Sequence, residues 1–183
     1  MTAIAAAPKA TTWKLDSTHS HVEFAVKHLM IATVKGSFSG IEATIAGDDA
    51  TQAGATITAK IETATISTKN DQRDAHLRSA DFFDADKFPE MTFASKRIVG
   101  DTAGEFQVVG DLTLHGATKE ITLDVTFEGQ VKDPWGGTRI GYSAKAKIRR
   151  SDFGLVWNQL IEAGGVAVGE EIKISIDAEF VRS

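Results

Sequence analysis

The chain has 183 residues, room for one substantial domain and not comfortably for two. Its 42% hydrophobic and 25% charged residues are an ordinary globular composition, which excludes the disordered and fibrous classes. A formal charge of −5 without a Lys/Arg block leaves no footprint for DNA or RNA, and the lack of cysteine excludes disulfides, thiolate ligands and cysteine nucleophiles.

Residues 1–12 read as a flexible tail rich in Ala and Thr, ahead of a single domain over 13–183. The stretch before Pro8 has no basic region and too short an apolar run for a signal-peptide core, and no segment approaches the ~18 apolar residues of a membrane-spanning helix. The expectation is a cytoplasmic protein that is not transmembrane, periplasmic or secreted if a leader has been removed.

Eight segments then alternate apolar and polar residues at the period of two that turns one strand face to a core. The first sets Val22, Phe24 and Val26 against His21, Glu23 and Lys27. The second runs from Val34 through Phe38 to Ile45 and changes phase beside Gly40, where a bulge is expected. Ile57, Ala59, Ile61 and Thr63 form the third; Met91, Phe93 and Ser95 form a shorter fourth. The fifth carries Phe106, Val108, Gly110, Leu112 and Leu114. In the sixth, Ile121, Leu123, Val125 and Phe127 are separated by Thr122, Asp124 and Thr126. Ile140, Tyr142, Ala144, Ala146 and Ile148 make the seventh, and Ile172, Ile174, Ile176, Ala178 and Phe180 the eighth.

Most connections are short and rich in turn residues, at Gly47-Asp48-Asp49, Gly100 to Gly104, His115 to Thr118 and Pro134 to Gly137, so neighbouring strands are antiparallel. Two are longer and predict short helical segments. Asn70 to Pro89 opens on a capping Asn70 followed by Asp71, and Arg150 to Val168 contains Phe153, Leu155 and Trp157. The fold class is therefore all-β, an eight-stranded antiparallel barrel whose longer connections are placed to form a lid or a mouth.

Such a barrel either fills itself with side chains or holds one small ligand. Middle inward positions are small on three strands, at Ala59, Gly110 and Ala144 with Ala146, which leaves space along the axis. The alternative is that small and large residues alternate only to fit the barrel's taper. A dry void on the order of 300 Å3 would cost about 7 kcal/mol at ~24 cal/mol per Å3. Against the ~5–15 kcal/mol stability of a typical domain, that favours an apolar occupant.

Arg73, His76 and Arg78 cluster in the first long connection, and Arg149 and Arg150 open the second. Guanidinium groups match phosphate oxygens, which makes such residues candidates for a charged head group. They equally suit tying the loops to the rim through Asp71, Asp74, Asp81 and Asp152. His19 and His21 share a strand face about 7 Å apart, but no third ligand follows from spacing, so no metal is expected. Asp74, His76 and Ser79 are triad residue types, yet they lie in one short segment without a Gly-x-Ser-x-Gly turn to orient them.

Four ordered blocks resemble the YceI-like, polyisoprenoid-binding family. They are Trp13-Lys14-Leu15-Asp16-Ser17-Thr18-His19-Ser20 with Val22 to His28; Arg73 to Arg78 with Asp81-Phe82-Phe83 and Pro89; Gly110 to Gly116; and Arg150 to Leu155. The resemblance runs from Trp13 to about Phe180. It implies a lipocalin-like barrel with a hydrophobic tunnel for a long isoprenoid or similar lipid, and a frequent homodimer. The tunnel wall is then expected at Phe24, Val26, Ile61, Phe93, Leu112, Leu114, Val125, Phe127, Tyr142, Ala144, Trp157 and Ile174. Arg73, His76, Arg78 and Arg150 are the possible head-group contacts, and no catalytic residue, metal or cofactor is assigned. The expected function is binding and carriage or sequestration of a polyisoprenoid or isoprenoid quinone. An enzyme acting on such a ligand and a packed structural or partner-binding barrel both stay open.

Overall fold

The computed structural model describes residues 11–47, 54–162 and 164–183. Among them ten strands share one antiparallel sheet: β1 (Thr11–Leu15), β2 (His21–His28), β3 (Ala32–Phe38), β4 (Ile41–Gly47), β5 (Thr56–Glu62), β6 (Glu90–Gly100), β7 (Glu105–Leu114), β8 (Ala117–Lys132), β9 (Thr138–Arg149) and β10 (Val168–Arg182). Eight of these, β1 and β4 through β10, close a barrel by pairing β1 with β10, Trp13 opposite Arg182 and Leu15 opposite Phe180. Further along the same edge of β10 lies β2, with Phe24 opposite Ile174, and β3 follows it.

The closed eight-stranded antiparallel barrel thus matches the expected fold class, with two strand assignments revised. The segment from Val34 to Ile45 is not one bulged strand. It breaks at Ser39 and Gly40, whose N–H groups both donate to Thr65 Oγ1 at 3.3 and 3.1 Å. A Cβ on Gly40 would stand 2.8 Å from Thr65 Cγ2, so the corner is too close-packed for a side chain. Beyond it the chain leaves β2 to pair with β1 and β5. The second revision is β1, which begins at Thr11, inside the expected tail; residues 1–10 lie outside the described residues, as does the expected turn beyond Gly47.

The first long connection forms helix α1 (Asp71–Arg78), and Asn70 caps it by accepting Arg73 N–H at 2.9 Å. Ser79 to Pro89 continues as turns, and the second connection opens with a single 3-10 turn, Arg150–Phe153. No helix among the described residues is long and apolar enough to cross a membrane. Two core clusters occupy the barrel. Trp13, Phe106, Ile140, Tyr142 and Phe180 pack at the end that carries the β8–β9 hairpin. Phe38, Ile66, Met91, Phe153 and Leu155 pack at the other end, where α1, the Arg150–Val168 connection and the β2–β3 turn meet; this is the cap end.

Candidate functional site

Between and through these clusters runs a cavity of about 290 Å3 whose surface is apolar almost throughout. β10 borders it from Val168 to Phe180. That is ~40 Å of strand at ~3.3 Å per residue, and roughly 30 Å of barrel axis once strand tilt is allowed for. Spread over that length, the volume is too narrow for anything wider than a single chain.

Ten of the expected wall residues border the cavity: Phe24, Val26, Ile61, Phe93, Leu112, Leu114, Val125, Tyr142, Ala144 and Ile174. Two do not. Phe127 packs its ring on Tyr142 at 5.8 Å, next to the register shift before Gly129 that turns β8. Trp157 lies outside the wall, stacked edge-on against His76 at 4.8 Å and tilted on Phe82 at 5.2 Å. The aromatic group so formed joins the two long connections. Its Phe82 borders the cavity at the cap end, as do Leu77, Phe83 and Leu155. Those four escape sequence reading because a single short helix, which holds Leu77, and irregular chain, which holds the others, show no hydrophobic period; only the adjacent Phe82-Phe83 pair before Pro89 marks them.

The small residues act differently from one another. Ala59 and Ala144 do widen the bore. Gly110 does not, because Phe93 covers it: a Cβ there would fall 2.6 Å from Phe93 Cζ and 2.8 Å from Ser95 Cα. Ala146 is buried without reaching the wall. Gly36 repeats the Gly110 device on β3, with Phe24 Cε1 2.6 Å from the position of its absent Cβ. Both glycines therefore seat wall aromatics flat against the sheet. Burial pushes the Tyr142 phenol up to about 12, so it stays neutral on the wall.

None of the expected head-group cations offers its charge to the cavity. Arg73 donates to Thr68 Oγ1 at 2.7 Å and Thr68 O at 3.0 Å, and Arg78 to Ala64 O at 2.8 Å and Ile66 O at 3.1 Å. His76 pairs with Asp81 at 2.8 Å on the outer side of α1. Arg150 borders the cavity but is 4% exposed, and its N–H groups donate to the carbonyls of Gly169, Leu155, Trp157 and Val168. These side chains do tie loops to the rim, but for the three arginines backbone carbonyls, with the Thr68 hydroxyl, take the place of the expected carboxylates. Irregular loops leave carbonyls without ladder partners, and a buried one must find a donor. Desolvation lowers the Arg150 pKa, consistent with a guanidinium held by dipoles.

Asp74 serves the same loop. Burial drives its pKa upward, but the hydrogen bonds from Thr68 N–H and Oγ1, with Arg78 and Arg73 nearby, outweigh that and hold the carboxyl below its ordinary value. Ser79 donates to His76 O at 2.7 Å. Asp74, His76 and Ser79 therefore point to three different partners and do not form a relay. His19 shares its site with Asp16 and Glu179 rather than with His21; the three could face one cation, and Arg139 already lies against both carboxylates.

The YceI-like domain model matches residues 13–180. A UPF0312 protein of Staphylococcus aureus is 42% identical over 171 residues, which is 93% of this chain and 97% of that protein. The crystal structure of the Campylobacter jejuni YceI protein superposes with a TM-score of 0.72 at 36% identity, over 84% of this chain and 87% of that one. A polyisoprenoid-binding domain from Saccharophagus degradans, implicated in plant cell wall breakdown, shares the fold with a TM-score of 0.65 at 17% identity, over 92% of this chain and 97% of that one. The chain therefore belongs to the YceI-like family.

Proposed function

We propose that this protein binds a long apolar lipid of the polyisoprenoid class along the barrel axis, and carries or sequesters it without chemical change. The observation that carries this reading is the shape of the cavity: about 290 Å3 drawn out along β10, walled by aliphatic and aromatic carbon. Dispersed over such a length the space suits a chain rather than a compact molecule. Each methylene taken from water contributes ~0.8 kcal/mol, so a long chain supplies its own affinity without polar contacts. Emptied, the same space would cost about 7 kcal/mol at ~24 cal/mol per Å3. The polyisoprenoid-binding neighbour on the same fold supports the ligand class.

The engagement of Arg73, Arg78 and Arg150 by backbone carbonyls favours an uncharged head, such as a quinone or an amide, over a diphosphate. Separate partners for Asp74, His76 and Ser79 support a binding role. The test is organic extraction of the purified protein followed by mass spectrometry. The expected result is a co-purifying apolar lipid at near one per chain. Protein that yields none, and that takes up no polyprenol offered in detergent micelles, would refute the proposal.

A further inference from the structure

Lipid binding inside the barrel makes no use of what lies outside its cap end. The turn from β2 to β3 has Leu29 and Met30 at its centre, and Ile31 N–H donates to His28 O at 3.1 Å. Both central residues have positive φ, 49° and 65°, the arrangement of a type I′ turn. Asn and Gly suit those positions, and bulky apolar residues there destabilise the hairpin. The same turn leaves Met30 62% and Ile31 84% exposed. It is joined to the Arg150–Val168 connection. Leu29 N–H donates to Ala167 O, and Met30 Cγ and Ile161 Cδ1 close over Gly165, 3.2 and 3.3 Å from where its Cβ would stand. On that connection Leu160 is 88% exposed. Two loops distant in sequence thus build one apolar prominence.

The wall beside it is basic. Lys147 lies opposite Lys173, Lys173 opposite Ala25, and Ala25 opposite Lys35. Directly opposed residues of antiparallel strands share a face, and all three lysines are exposed, so they form one outward row. Lys27 and Arg149 are exposed one step nearer the prominence, and the acidic groups among them are Glu171, 3.7 Å from Lys147, Glu170, 4.0 Å from Arg149, and Glu23. Beside this prominence Lys27, Lys35, Lys147, Lys173 and Arg149 outnumber the acids around them, with exposed Glu162 on the adjoining connection, in a chain of net charge −5. The cavity reaches the same place: Val26 and Val168 border it, and Val168 is opposite His28, the residue before the turn.

Exposed apolar side chains flanked by lysines are the combination that holds a protein at an anionic bilayer. We infer that the cap end docks on an anionic lipid surface, with Met30, Ile31 and Leu160 entering the acyl boundary and the lysine row facing the head groups. Lipid would then pass between bilayer and bore without crossing water. The inference rests on the lipid-binding reading, but attachment itself does not require a loaded cavity.

Vesicle flotation tests it with the full chain. Vesicles of phosphatidylglycerol and phosphatidylcholine in equal parts should carry the protein at low salt. Pure phosphatidylcholine, or high salt, should not. Met30→Asn with Ile31→Ser, which suits the turn better, should cut binding at least about tenfold, and Lys35→Glu with Lys173→Glu about fivefold for each lysine lost. Polyprenol uptake from detergent micelles should match wild type in both variants. No flotation on anionic vesicles, or flotation that neither variant alters, would overturn the inference. So would a wild-type dimer in light scattering that the Met30/Ile31 variant dissolves, since a second copy would then cover the face. Flotation without any polyprenol uptake would uphold docking and remove the cavity reading instead.

Discussion

Replacing Ala144 by Phe should stop up the bore while leaving the barrel standing. Ala144 lies between Val125 of β8 and Ile176 of β10, and all three border the cavity. A phenyl ring adds on the order of 100 Å3, about a third of the space, and filling that volume returns roughly 2 kcal/mol at ~24 cal/mol per Å3. Adding bulk to a packed wall costs about 1–3 kcal/mol, so the stability change should stay within about 1 kcal/mol of zero. Binding is a different matter. If the ring displaces about five methylenes, the loss is about 4 kcal/mol, roughly a thousandfold in affinity. The assay pairs urea denaturation with displacement of a fluorescent long-chain polyene by polyprenol. Wild-type affinity in a variant of wild-type stability would refute the claim that ligand occupies the bore at this height.

Two further outcomes follow from the packing and the charges. Gly110→Ala should cost about 3 kcal/mol because its Cβ meets the backbone of Ala94 and Ser95; Gly36→Ala should cost about 1 kcal/mol because it need only push the Phe24 ring and the Thr68 methyl aside. Equal losses in urea melts would contradict that distinction. The Asp16 carboxyl is held well below its ordinary range by hydrogen bonds from Thr18 first, then His19 and Arg139. An acid whose folded pKa is depressed stabilises the fold above its unfolded value and loses that contribution as pH falls. Asp16→Asn should therefore be less stable than wild type near neutrality, with the gap narrowing from about pH 5 towards pH 2. Denaturation curves whose gap stays constant over that range would show that Asp16 does not titrate in this way.

How far the molecule is legible beforehand depends on whether the governing signal is local. Ile121, Leu123 and Val125 alternate along one strand, and their faces follow from the pleat alone. β1 carries the same alternation over five residues only, and its partners are Gly47 to Thr44 and Arg182 to Phe180, so nothing nearby announces it. Gly110 looked like empty space because a glycine has no side chain; that a neighbour's ring would lie over it depends on pairing across β6 and β7. The arginines were recognisable as cations needing partners. Their acceptors are carbonyls, which every residue carries, and no residue type advertises which of them a loop will leave unpaired.

The pairing of Trp13 with Arg182 bears on how the chain comes into being. β2 through β9 can form hairpins with sequence neighbours while synthesis proceeds, but β1 finds β10 only after nearly the whole chain has left the ribosome. Contacts of such separation are slow to form, because the loop entropy must be lost before any pairing offsets it. Until then β1, β2 and β9 each lack β10 as a neighbour, and three strand edges are open to other chains. The barrel has no interior before β10 arrives, so a nascent chain can neither take up lipid nor be steadied by it.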